Sequence, residues 1–170
     1  KYDLAINDYC LITMHRPSNV DSTTNLNKVI DMLNSISEKT KVVFPIHPRT
    51  KNELQNANKK LCGNILLLEP LPYLEFLGLM AKAKVVVTDS GGIQEETTYL
   101  GVQCITVREN TERPVTVDIG TNHLVGTDSS AALNIFNIII NGEIKKGIIP
   151  PKWDGNSGKR IAKIIGEFVK

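Results

Sequence analysis

Six short apolar runs rich in β-branched residues, at 9–14, 41–47, 64–69, 84–88, 102–107 and 123–126, alternate with segments of helical period at 25–38, 50–60, 72–83, 92–100, 129–141 and 157–169. This alternation is the strongest constraint on what the chain can become. Runs that are apolar at successive positions suit strands buried on both faces, and a strand-helix-strand succession demands crossover connections, which are right-handed. The expected fold is therefore α/β, a Rossmann-like doubly wound parallel sheet with helices on both faces. A chain of 170 residues, 41% of them hydrophobic, can bury one good core, and one domain over 1–170 is expected.

In a sheet of strand order 3-2-1-4-5-6, ligands sit beyond the carboxyl ends of the strands, where the order reverses between strands one and four. The residues just past those ends are testable candidates. They are His15-Arg16-Pro17-Ser18-Asn19 after strand one, His47-Pro48-Arg49 after strand two and Asp89-Ser90-Gly91-Gly92 after strand four. After strand five comes Arg108-Glu109-Asn110-Thr111-Glu112-Arg113-Pro114. Two of the 3 histidines, several arginines and a glycine pair thus fall on one edge.

Charge narrows the partner. With 20 Lys+Arg against 18 Asp+Glu and no long basic run, an extended nucleic-acid or anionic-membrane surface is not expected, and a small ligand is. Cys10, Cys62 and Cys104 are odd in number and widely spaced in apolar segments, which fits buried thiols in a reducing compartment rather than disulfides or a metal site. No apolar run approaches the roughly 20 residues of a membrane span, and no signal peptide is visible, so a cytoplasmic protein is expected. The first residue, Lys1, is not Met, and the opening segment reads like chain continuing from a longer protein.

At the edge, Gly91 and Gly92 remove side chains where a strand turns into a helix. Backbone N–H groups could then approach an oxygen-rich anion, helped by the helix dipole and by the Ser90 hydroxyl. A plain βα turn with Ser90 as helix cap explains the same residues, and both readings stand at this point. Neither a dinucleotide Gly-x-Gly-x-x-Gly nor a P-loop is present. Glu96, one turn into the helix, would repel phosphate but suits sugar hydroxyls, which a carboxylate accepts in pairs, whereas Glu95 reads as a solvated helix-start carboxylate. His15, beside Arg16, is expected to be disfavoured in its charged form. Arg113 can fork onto an anion or pair with Glu112 or Glu109, and Pro114 can begin a helix behind it.

Taken together, Thr88-Asp-Ser-Gly-Gly-Ile-Gln-Glu-Glu96, Thr111-Glu-Arg-Pro114, His15-Arg16 with Asn19, and Glu69-Pro-Leu-Pro-Tyr-Leu-Glu-Phe76 resemble the non-hydrolysing UDP-N-acetylglucosamine 2-epimerases, in that family's order. The resemblance covers nearly the whole chain. It implies the C-terminal, nucleotide-binding half of a two-domain GT-B-type fold, with no cofactor and no metal. By resemblance, Ser90, Gly91 and Gly92 would hold the diphosphate of UDP, Glu96 the ribose, and Phe76 with the backbone near Leu71 the uracil. His15 and Arg113 would face the sugar diphosphate as catalytic residues. Arg16 and His47 match residues that contact a second UDP-N-acetylglucosamine in members with an allosteric site. The family's proton-transfer acids lie in the N-terminal half, so the resemblance implies a chain that binds UDP weakly and has little epimerase activity alone. It also implies a homodimer for the full-length enzyme and a monomer for this chain. Pro17-Ser18 departs from the charged residues many members carry there, which leaves a UDP-2,3-diacetamido sugar acid as another substrate. A GT-B glycosyltransferase donor domain and a nucleotide-sugar sensor are the competing functions.

Overall fold

The computed structural model describes residues 2–169, so the expectation attached to Lys1 falls outside them. Six strands form one parallel sheet: β1 (Tyr9–Thr13), β2 (Lys41–Pro45), β3 (Ile65–Leu68), β4 (Val85–Thr88), β5 (Gln103–Thr106) and β6 (Asn122–Leu124). Their order is β3-β2-β1-β4-β5-β6, as the alternation led one to expect. Around them lie α1 (Pro17–Val20), α2 (Thr23–Ser37), α3 (Pro48–Asn56), α4 (Tyr73–Met80), α5 (Gly91–Leu100), α6 (Pro114–Asp118), α7 (Ser129–Ile140) and α8 (Ser157–Phe168). The short helices α1 and α6 both begin on a proline, whose fixed φ suits a first helical position and whose missing N–H costs nothing there.

Successive residues of each strand point to opposite faces, and the core splits accordingly. On one face Cys10, Ile12, Val42, Phe44, Val85, Val87 and Ile105 pack against Met32, Leu33 and Ile36 of α2 and against Phe136 and Ile139 of α7. On the other, Tyr9, Leu11, Val43 and Val86 meet Met80 of α4 and Ile93 of α5. Both faces are covered, which is why the strands lack polar alternation.

Two expectations shift. Helix α3 begins at Pro48 and ends at Asn56, earlier than the period suggested, because His47 caps it through its ring: Nδ1 accepts from the Arg49 N–H at 3.2 Å. The chain beyond it is a loop, and Cys62 is exposed there rather than buried, its N–H donated to Asn34 Oδ1 at 2.9 Å. Cys10 and Cys104 are buried, and burial pushes the Cys104 thiol up to about 11. No described helix is long and apolar enough to cross a membrane.

Helix α8 differs from the rest. None of its residues is buried, yet Ile161, Ile164, Ile165 and Phe168 recur at helical spacing along it, and Phe168 is 92% exposed. Urea unfolding should separate the two kinds of apolar residue. Phe136→Ala, which empties the core under α7, is expected to cost about 3–5 kcal/mol, whereas Phe168→Ala should change stability by less than about 0.5 kcal/mol.

Candidate functional site

Strand β1 pairs directly with β4, with Thr13 opposite Thr88, so the turns that follow the two strands emerge side by side. Immediately after β4 stands Asp89, which is fully buried. Its carboxylate accepts the backbone N–H of His15 (3.0 Å) and of Arg16 (2.8 Å), the Asn19 amide (3.1 Å) and an ion-pair contact from His15 Nδ1 (3.2 Å). Burial alone would raise the Asp89 pKa, but these donors outweigh it and hold the carboxyl below its ordinary value. The bond to Asp89 correspondingly raises His15, against burial and the charge of Arg16. This corrects the expectation that Arg16 keeps the imidazole neutral: the nearer, hydrogen-bonded carboxylate wins. The His15 contribution to stability is therefore complete below pH 6.5 and lost as pH rises through its raised pKa. That of Asp89 is present above pH 3.8 and lost as pH falls through its lowered one.

The β4–α5 turn bears on a question left open by sequence. Gly91 and Gly92 are the first residues of α5, and neither has positive φ. A Cβ at Gly92 would meet no atom within 4 Å, and one at Gly91 would make only ordinary contacts, at 3.7 Å and beyond. The turn itself thus does not require glycine, although glycine costs a helix roughly 0.5–1 kcal/mol relative to alanine. Ser90 occupies the cap position without making a side-chain cap; its own N–H goes to Thr88 Oγ1 at 3.0 Å. The first-turn N–H groups lack intrahelical acceptors and point outward with the positive end of the dipole.

Four of the singled-out residues share one cavity. His15, His47, Leu71 and Phe76, with Pro45 and Ile46, line a mostly apolar hollow of about 230 Å³ beyond β1 and β2. That is below the ~300–1,000 Å³ of a complete drug-sized pocket and suits one planar end of a ligand. The His15 and His47 rings lie 5.6 Å apart. Arg16 turns back onto the fold, its Nε donating to the Asp89 carbonyl at 3.0 Å. Glu96 lies outside this cavity. It accepts the Tyr73 hydroxyl at 3.1 Å and lines a neighbouring groove with Leu77, Tyr99 and Trp153.

Arg113 forms an ion pair with neither expected carboxylate, although its Nη1 donates to the Glu112 backbone carbonyl at 3.2 Å. Glu112 is taken by the nearly buried Arg108 (2.6 and 2.9 Å) and Glu109 by Thr127, which leaves Arg113 Nε to bond Glu95 at 2.9 Å. Glu95 is therefore ion-paired rather than merely solvated. Gln94, fully buried, ties the two loops together: its Nε2 donates to the Ser90 carbonyl (3.3 Å), and its Oε1 accepts from Thr111 (2.6 Å) and Asn122 (3.1 Å). Sequence reasoning placed Asp89 on this edge without giving it a role, and it passed over Gln94. An acid one residue beyond a buried strand at the reversal point was the available signal for Asp89; Gln94 offered none, since its partners lie 17 and 28 residues away.

Comparison with known proteins agrees with this geometry. The family model described as UDP-N-acetylglucosamine 2-epimerase matches residues 1–166. A curated UDP-N-acetylglucosamine 2-epimerase of Methanococcus maripaludis is 44% identical over 163 residues, which is 92% of this chain and 44% of that protein. A UDP-2,3-diacetamido-2,3-dideoxy-D-glucuronate 2-epimerase of Pseudomonas aeruginosa is 37% identical over 119 residues, 69% of this chain and 33% of that one. The solved Methanocaldococcus jannaschii UDP-GlcNAc 2-epimerase in complex with UDP-GlcNAc and UDP superposes with a TM-score of 0.81 at 39% identity, covering 96% of this chain and 46% of that one. The chain thus spans about half the length of the relatives it matches.

The Arg108–Glu112 pair gives a direct check on the electrostatics of this edge. The guanidinium holds the Glu112 carboxyl down to about 2 from 4.5, so carboxyl-carbon NMR should show a midpoint near pH 2, returning toward 4.5 in Arg108→Gln. The stability that this pair contributes is present above pH 4.5 and should fade as the pH falls through that lower value.

Proposed function

Because the chain belongs to the UDP-N-acetylglucosamine 2-epimerase family, we propose that it forms the nucleotide-binding half of an enzyme interconverting UDP-N-acetylglucosamine and UDP-N-acetylmannosamine. The observation that carries this reading is the α5 start, where two glycines that the backbone does not need leave N–H groups open beside the β1–β4 reversal point. In this reading Ser90, Gly91 and Gly92 hold the diphosphate, Glu96 exchanges its Tyr73 hydroxyl for ribose hydroxyls, and the apolar hollow at Leu71 and Phe76 receives the uracil. UDP-N-acetylglucosamine is preferred over the diacetamido sugar acid because the relative named for it matches at 44% over 92% of the chain, against 37% over 69%.

The chemistry is elimination and re-addition. A proton leaves C2 while the C1–O bond breaks and its electrons depart with UDP, giving the C1=C2 alkene; UDP then re-adds at C1 and C2 is protonated on the opposite face. The departing diphosphate gains negative charge, and N–H groups at a helix start, Arg113 and a protonated His15 are suited to stabilise it. The acid and base at C2 are supplied by the remainder of the polypeptide. An unpartnered apolar stripe on α8 supports such a remainder, since helical apolar stripes are ordinarily covered. The chain alone is then a monomer that binds UDP weakly and turns over little substrate, whereas the complete enzyme is a cytoplasmic homodimer. Arg16 and His47, beside the same hollow, are assigned to a second UDP-N-acetylglucosamine.

Calorimetric titration with UDP tests the half-site. Glu96→Ala should weaken binding about tenfold or more, the loss expected for charge-assisted bonds worth ~1.5–3 kcal/mol. Gly92→Ala should separate fold from function by stabilising the chain by up to about 1 kcal/mol while weakening UDP. Unchanged affinity in both variants would count against the assignment.

A further inference from the structure

We propose that Asp89 is a positioning residue of this site, its buried carboxylate fixing the loop after β1 and holding the His15 imidazole in one orientation, with Nδ1 protonated and Nε2 facing the hollow. The inference rests on the reading that His15 faces the sugar diphosphate. Its observations, however, concern Asp89 itself.

A carboxylate removed from water needs its lone pairs filled, and this one is filled almost entirely from one short segment. Four donors converge on it, all from His15, Arg16 and Asn19, and the Arg16 guanidinium also closes onto the Asp89 carbonyl. Anchoring the loop would need only the backbone N–H groups and Asn19. The His15 Nδ1 contact at 3.2 Å is additional, and it constrains the ring rather than the chain. An ionised carboxylate only accepts, so Nδ1 must carry the proton. Nε2 has no partner among the described residues, on a side chain that is 43% exposed and lines the hollow. When His15 is charged, Nε2–H is a donor; when it is neutral, Nε2 is an acceptor. Asp89 thereby decides which ring atom the ligand meets.

Every charged or titratable group around the ring bears on its protonation. Asp89 favours the imidazolium and Arg16 opposes it. His47 stands 5.6 Å away across the hollow and accepts at its own Nδ1 from Arg49, and Arg108 faces Asp89 from the β5 side.

Imidazole nitrogen NMR of the 170-residue chain, labelled at histidine, reads this directly. In the parent, His15 should titrate above 6.5 and show the Nδ1–H tautomer once neutral. In Asp89→Asn the midpoint should fall by on the order of one pH unit or more, and the neutral ring should become a mixture of tautomers. A parent His15 that is predominantly Nε2–H when neutral would overturn the proposal even if Asp89→Asn failed to fold, and so would an Asp89→Asn titration superimposable on the parent. Addition of UDP to a uniformly nitrogen-labelled chain, read at its backbone amides, keeps the two readings apart. Absence of shifts around residues 90–96 would remove the nucleotide assignment while leaving the imidazole result to stand or fall by itself.

Discussion

The parallel pairing of β1 with β4 is the contact on which the rest of this edge depends. Because strand order reverses there, the chain leaves β1 and β4 toward opposite sides of the sheet, and a crevice opens between the two turns. The turns do not drift apart, since Asp89 at the end of β4 is bonded to the residues that follow β1. A second tie works one layer away, where Gln94 joins the start of α5 to the loop carrying Arg113. Two buried polar residues therefore hold three loops in one frame, and the hydrophobic sheet beneath supplies the rigidity that makes such a frame useful.

The distribution of charge follows from that frame. Of the arginines beyond the strand ends, Arg49 is held by Asp21 and Arg108 by Glu112, and both are occupied in fastening loops. Arg113 is half-exposed, and its Glu95 partner stands on the same helix as the glycine pair. A ligand anion at the α5 start would thus meet helix-start N–H groups first and Arg113 across an ion pair that solvent already screens. Positive potential is supplied mostly by backbone, which needs no reorganisation when an anion arrives.

How much of this was legible in the sequence differs between levels. Sheet order and the clustering of His15, His47, Ser90 and Arg113 on one edge followed from periodicity and topology, since apolar runs and crossover handedness leave few alternatives. The limits of α3 were misjudged because a histidine ring took the cap, a role that propensity does not assign to it. The charge of His15 was misjudged because Arg16 is adjacent in sequence, whereas Asp89 is 74 residues away and adjacent only in space. The ion-pair partner of Arg113 was missed for the same reason: Glu112 and Glu109 are close in the chain, but Arg108 and Thr127 reach them first, and Glu95 is the carboxylate left to it. Cys62 looked buried from its apolar neighbours, yet the loop that carries it runs over the surface. Local pattern located the candidate site, and long-range pairing decided its electrostatics.

Hydrogen exchange of backbone amides with and without saturating UDP tests the central claim most directly, because it reports on every loop of the edge at once. Added protection confined to the α5 start at 90–96, the 71–76 segment and the β1 loop at 13–19 is the expected result. Protection at the opposite, amino-terminal ends of the strands, or none anywhere at millimolar UDP, would contradict a nucleotide half-site at the β1–β4 reversal.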